Sequence, residues 1–143
     1  MSKIYAAYGS NLNIYQMGHR CPTAKIIGVG RIKDYELLFA GCATIRPAEK
    51  QEVMVGVWEI QESDEQALDN YEGYPHFYRK EILDVDLGNK RIVQAMVYIM
   101  NKPSWRLPGS NYLSIIMDGY EDFGLDMFYL KESLEKTEKL KNY

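Results

Sequence analysis

From Ala24 to Met100 the sequence is a succession of β-branched and aromatic runs, and only one stretch of helical length interrupts it. The runs Ala24–Arg31, Tyr35–Ala40, Val53–Ile60, Phe77–Leu87 and Arg91–Met100 are separated by Gly, Pro and charged turns, as strands are. A first short strand is expected over Lys3–Tyr8. A doubly wound sheet needs a helical crossover between parallel strands, and a single central helix cannot supply enough of them. The expected fold is therefore α+β, a mixed barrel-like sheet with peripheral helices. Gly88-Asn89 predicts a hairpin between the last two runs, since both residues tolerate positive φ. Ser63 and Gln66 predict a capping box that opens the central helix, which reaches about Tyr71 before Gly73 and Pro75 stop it. Asn13, Ser110 and Asp126 are placed to cap three further helices. The helix after Ser110 carries the stripe Tyr112, Leu113, Ile116, Met117 and Tyr120.

A length of 143 residues suits one domain spanning 1–143, and 46% apolar residues spread along the chain suffice for a core. The longest apolar runs fall far short of the roughly 20 residues a bilayer span needs, so no membrane association is expected. Met1 to Tyr5 leads straight into a strand pattern without an export signal. Cys21 and Cys42 lie far apart with no Cys-x-x-Cys unit, which suits a reducing compartment; the expected location is the cytoplasm. A net charge of −3 with scattered Lys and Arg offers no footprint for a phosphate backbone, so no nucleic-acid partner is expected. The alternating charges of Lys131 to Lys141 read as a solvated helix face.

Most catalytic constellations are missing. His19-x-Cys21 has no second ligand pair at zinc spacing, so no metal site is expected. A serine or cysteine nucleophile needs a base beside it; His76 is the only candidate besides His19, and nothing in the sequence places it near Ser10. Gly9 and Ser10 fit neither a Walker loop nor a dinucleotide fingerprint, and no cofactor is expected. Two features remain. Gly9-Ser10-Asn11, just after the first strand, can aim backbone N–H groups into a concavity that holds an anion such as a carboxylate; alternatively it is an ordinary turn with local caps. Glu72 ends its helix within Tyr71-Glu72-Gly73-Tyr74-Pro75-His76-Phe77-Tyr78, where aromatic surroundings can raise a carboxyl pKa toward neutrality; alternatively it is a solvated helix-end acid, one of 20 acidic residues.

Taken together, Tyr5-Ala6-Ala7-Tyr8-Gly9-Ser10-Asn11-Leu12 resembles the opening strand and substrate loop of the gamma-glutamylcyclotransferase-like family. Leu68-Asp69, Glu72-Gly73 and Tyr78-Arg79 resemble its stretch with the catalytic glutamate. Ala43-Thr44-Ile45 is similar to its central strand, and Pro103-Ser104, Tyr112, Ile115, Gly119, Gly124-Leu125 and Tyr129 to its C-terminal helices. The resemblance implies a mixed β-barrel with a cavity where Tyr8, Gly9, Ser10 and Asn11 bind the substrate's α-carboxylate. It implies that Tyr112 lines that cavity as a polar contact, with core packing as its plain alternative. Glu72 is implied as the acid/base that lets a γ-glutamyl substrate close on itself to 5-oxoproline, releasing an amino acid or amine without metal or nucleotide. A different class of function shares the cavity: a module that binds a small carboxylate or amine without turning it over. The resemblance is compatible with a homodimer.

Overall fold

The computed structural model describes residues 2–141. Five strands, β1 (Lys3–Ala7), β2 (Lys25–Ala40), β3 (Cys42–Ile60), β4 (Tyr78–Asp86) and β5 (Ile92–Met100), close into a barrel in the order β1-β3-β2-β4-β5. Neighbours are antiparallel except β1 and β5, which run parallel where Tyr5 meets Met96. The expected α+β barrel is the fold. Its helices are α1 (Ile14–Arg20), α2 (Glu62–Glu72), α3 (Ser110–Phe123) and α4 (Met127–Leu140). None of the described helices is long and apolar enough to cross a membrane.

Closure explains why the apolar run of β5 is nearly continuous. Every residue from Ala95 to Met100 is buried. Ala95, Val97 and Ile99 feed one core with Ile116 and Tyr120 of α3 and Leu130 of α4, whereas Met96, Tyr98 and Met100 feed a second with Met17 of α1 and Leu68 of α2. A strand covered on both faces loses the alternation of a half-solvated one.

The structure corrects four local expectations. Ala24–Arg31 and Tyr35–Ala40 are one strand, β2, because Asp34 takes a left-handed conformation (φ 63°) and bulges without breaking the pairing. The β4–β5 turn is centred one residue later than Gly88-Asn89: Asn89 and Lys90 have φ of 52° and 63°, and the Arg91 N–H bonds to the Gly88 carbonyl at 2.9 Å. The cap of α2 is formed by Gln61, whose N–H donates to Asp64 Oδ2 at 2.9 Å, rather than by Ser63 with Gln66. Asp64 wins because Thr23 also donates to it at 2.6 Å and fixes it there. Gly109, not Ser110, caps α3. The expected caps Asn13 and Asp126 do accept backbone N–H bonds, from Gln16 and Phe128.

Helix α4 is more than a solvated face. Lys136 pairs with Glu132 at 3.1 Å, yet buried Thr137 accepts the N–H of Phe39 at 3.0 Å and so seals the backbone of β2. On the other side, Gly119 lets α3 lie directly on the chain after β1: a Cβ there would stand 2.6 Å from the Leu12 Cβ and 2.8 Å from the Asn13 nitrogen. Gly119→Ala is expected to destabilise the fold by about 1–3 kcal/mol through this overlap. Gly18→Ala, on α1 with open space around it, is expected to be neutral or stabilising by up to about 1 kcal/mol. Denaturant unfolding of the two variants measures the contrast; equal effects would contradict the close-approach account.

Candidate active site

Beyond β1 the chain turns at Gly9 into a 3-10 turn, Ser10–Leu12, and then into α1. Gly9 sits at φ −123°, ψ −131°, and a Cβ on it would come within 3.1 Å of the Ala43 Cβ and 3.4 Å of the Tyr112 hydroxyl. The absence of a side chain therefore lets the loop lie against β3 and α3. Asn13 Nδ2 donates to the Ile115 carbonyl at 3.0 Å and the Ile14 N–H donates to Asp122 at 2.9 Å, which ties the loop to α3. The Ser10 and Asn11 side chains are buried and committed to protein. Ser10 Oγ lies 2.9 Å from the Tyr71 hydroxyl, and Asn11 Nδ2 donates to the Tyr5 hydroxyl at 2.9 Å while its Oδ1 accepts from Arg20. Leu12 and Asn13 donate back into the turn, at Gly9 and Ser10. Among the described residues the amides of Gly9, Ser10 and Asn11 have no backbone acceptor, as at the start of any helical turn, so three successive N–H groups are available to a ligand.

Glu72 is the last residue of α2, followed by Gly73 in the left-handed conformation (φ 66°) that ends the helix. It lines the same small cavity as the loop, a space of about 20 Å³. Burial pushes the Glu72 carboxyl up to about 7, and the Arg20 guanidinium opposes the rise. The C-terminal end of a helix is itself an unfavourable place for a negative charge.

Tyrosines supply most of the remaining wall. Tyr5 and Tyr8 come from β1 and the residue after it, Tyr78 from β4, Tyr98 from β5 and Tyr112 from α3. Their hydroxyls are held by the barrel. Tyr8 donates to the Tyr98 carbonyl at 2.6 Å, Tyr78 to the Ala43 carbonyl at 2.7 Å and Tyr98 to Asp69 at 2.6 Å. Tyr112 accepts the Ala43 N–H at 3.0 Å, so its own proton stays free to donate. Burial raises the Tyr5, Tyr8, Tyr78, Tyr98 and Tyr112 hydroxyls, with Glu72 contributing to each, so all five stay neutral donors around one acid.

The structure thus brings Tyr8, Gly9, Ser10, Asn11, Glu72 and Tyr112 to a single cavity, though Ser10, Asn11 and Tyr8 meet it with side chains already bonded to protein. Sequence reasoning missed Tyr5, Tyr78, Tyr98, Ala43 and Arg20. The Arg20 guanidinium stacks 3.4 Å over the Tyr71 ring and donates to Asn11 and Gln16, so it joins the loop, α1 and α2. Its place in the last turn of α1, six residues beyond the cap-side start of that helix at Ile14, was the available signal. His19 packs edge-on against Tyr15 at 4.6 Å, and the Cys21 thiol lies 3.5 Å from the Asp64 carbonyl, so both have packing roles.

Residues 5–121 match the family described as gamma-glutamyl cyclotransferase, AIG2-like. The chain belongs to this family. Among curated relatives, human gamma-glutamylcyclotransferase is 29% identical over 96% of this chain and 79% of its own length; the bovine protein of the same name is 28% identical over 92% and 77%. A solved structure titled gamma-glutamyl cyclotransferase superposes with a TM-score of 0.84 at 28% identity, covering 96% of this chain and 87% of that one. A Bacillus subtilis protein at 21% identity, TM-score 0.75, shares the fold over 99% of this chain and 54% of its own.

The raised Glu72 carboxyl has a consequence for stability. Between about pH 4.5 and 7 the folded protein binds a proton that the unfolded chain releases, so this residue's contribution falls as pH rises through that window. Glu72→Gln, permanently neutral, is expected to be more stable than the wild type by about 2 kcal/mol at pH 8, after discounting for partial solvent access, and equal to it below pH 4.5. Chemical denaturation across this range checks the trend; a difference independent of pH would contradict it.

Proposed function

We propose that this protein is a gamma-glutamyl cyclotransferase that converts a γ-glutamyl amide to 5-oxoproline and a free amine or amino acid, with Glu72 as its acid and base. The observation that carries the reading is the Glu72 carboxyl: raised to about 7, bonded to no protein donor among the described residues, and facing the amide-bearing loop across one small cavity. Family membership supports the reaction class.

In this reading the amides of Gly9 to Asn11 receive the substrate's α-carboxylate, and the glutamyl chain lies along the tyrosine wall. The substrate's α-amino nitrogen attacks its own γ-carbonyl carbon. The new N–C bond closes a five-membered lactam, and the bond from that carbon to the leaving nitrogen breaks. Glu72 takes the proton the attacking nitrogen loses and returns it to the departing amine, so it ends as it began. A group with a pKa near the working pH does both tasks with little bias. In this reading the free Tyr112 proton donates to the oxygen of the tetrahedral intermediate, a role for neutral donors in a water-poor site. Ring closure brings its own nucleophile, so positioning supplies much of the rate.

Glu72→Gln is expected to lower kcat/KM for 5-oxoproline formation by about 10²–10⁴-fold with the fold retained; full activity in this variant would remove Glu72 from the mechanism. In the wild type kcat/KM is expected to rise with pH through about 7 as Glu72 becomes the base. Arg20→Met, which removes the cation that opposes the rise, is expected to displace that limb to higher pH. A limb that stays in place would show that Arg20 acts only through the loop.

A further inference from the structure

Two carboxylates, Asp69 and Glu72, lie one turn apart near the end of α2, and residues three apart are neighbours on a helix surface. The Tyr98 hydroxyl from β5 bonds to the first of them. It donates to Asp69 Oδ1 at 2.6 Å, while Tyr98 lines the same cavity as Glu72 and Asp69 does not. Tyr8 and Tyr78 also have their protons engaged, but on backbone carbonyls. Tyr98 instead donates to a carboxylate on the helix that carries Glu72, so its proton has two neighbouring acids to choose from and is bound to the one outside the cavity.

Asp69 is equipped to win that proton. Lys80 of β4 stands 3.0 Å from its Oδ1 and 3.2 Å from its Oδ2. The same ammonium is 2.7 Å from Glu65, one turn earlier on α2, and 4.1 Å from the centre of the Tyr74 ring; Glu65 also pairs with Lys3 of β1 at 2.8 Å. Burial works against the Lys80 charge, yet its bonds to Glu65 and Asp69 outweigh that and raise the ammonium. The ion pair gives Tyr98 an ionised acceptor, which makes a shorter and stronger hydrogen bond than a neutral one. Around Glu72, Arg20 of α1 acts through space, and Cys42 of β3 and the Tyr5, Tyr8, Tyr78 and Tyr112 hydroxyls stand near without donating to it among the described residues. A Tyr98 proton given to Glu72 would favour its charged form and would have to be released each time the carboxylate took up a proton. The cavity, about 20 Å³, has room for about one water, so a hydroxyl turned away from Asp69 finds few other acceptors there.

Resting on the cyclotransferase reading of Glu72, we propose that Asp69 is a positioning residue: paired with Lys80, it draws the Tyr98 hydroxyl to itself and leaves the Glu72 carboxyl without a donor, able to exchange its proton with substrate.

The test follows the Glu72 carboxyl carbon by NMR through pH in Asp69→Ala, in Tyr98→Phe and in the double variant. The pH profile of kcat/KM for 5-oxoproline is measured beside it on γ-glutamyl dipeptides and γ-glutamyl amines. Asp69→Ala removes a charge as well as an acceptor, and the double variant shares that loss of charge, so the difference between the two reads the hydroxyl alone. In Asp69→Ala the Glu72 midpoint is expected to fall by about one to two pH units, the range of a hydrogen bond to a charged group, and the acid limb of kcat/KM to fall with it. Adding Tyr98→Phe is expected to return both by about one unit, and Tyr98→Phe alone to leave both near the wild type. Should Asp69→Ala not fold, Asp69→Asn, a weaker acceptor, is expected to show the same fall and return at smaller size. Equal midpoints in Asp69→Ala with and without Tyr98→Phe would mean that charge alone acts, and a rise in Tyr98→Phe alone would mean that Tyr98 already serves Glu72. Either would overturn the proposal, as would a limb that stays fixed while the midpoint moves. No 5-oxoproline from the wild type would overturn the cyclotransferase reading and the positioning role with it, whereas the midpoints would still show which carboxylate the hydroxyl chooses.

Discussion

A carboxyl group buried at the C-terminal end of a helix is in a doubly hostile setting, since both lost hydration and the helix dipole disfavour its charge. The rest of the site follows from keeping Glu72 there. A cation in direct contact would return the group to an ordinary pKa and leave it a poor proton carrier near neutrality. The wall is built instead from tyrosines, whose hydroxyls are polar enough to meet a substrate and stay uncharged beside an acid. One positive charge, Arg20, acts through space and moderates the rise without an ion pair.

Holding that arrangement requires a rigid frame on every side. The tyrosines come from β1 and the residue after it, β4, β5 and α3, and their hydroxyls are tied to barrel carbonyls, to the Ala43 backbone, to Asn11 or to Asp69. Ala43 takes part twice, its N–H bonded to Tyr112 and its carbonyl to Tyr78, so one residue of β3 holds tyrosines from α3 and β4. The loop is pressed into place by missing side chains at Gly9 and Gly119 and at Gly56, where a Cβ would fall 2.7 Å from Phe123 and 2.9 Å from Leu12. Such preorganisation puts the ordering cost into folding rather than into each turnover.

The sequence disclosed what is local and hid what is assembled. Strand composition, the caps at Asn13 and Asp126, and the fold class were legible because propensity and period act over a few residues. Asp34 misled because a bulged β-strand and a strand break share the same turn chemistry. The Ser63–Gln66 pattern lost to Gln61–Asp64 through a tertiary bond from Thr23, which no local rule contains. The loop and Glu72 could be found by their order and spacing along the chain. Tyr98 could not, and Tyr5 and Tyr78 stood in the matching segments without a role, since a chain with 12 tyrosines does not show which rings meet until the barrel closes.

The account turns on the protonation of one group, which can be observed without turnover. Carboxyl carbons of the glutamates can be titrated by NMR in the folded protein, with the Glu72 resonance assigned by its loss in Glu72→Gln. A midpoint near 7 is expected, well separated from those of the solvent-exposed glutamates. A midpoint near the ordinary value of about 4.3 would mean a hydrated carboxylate, and Glu72 could not then be the shared acid and base.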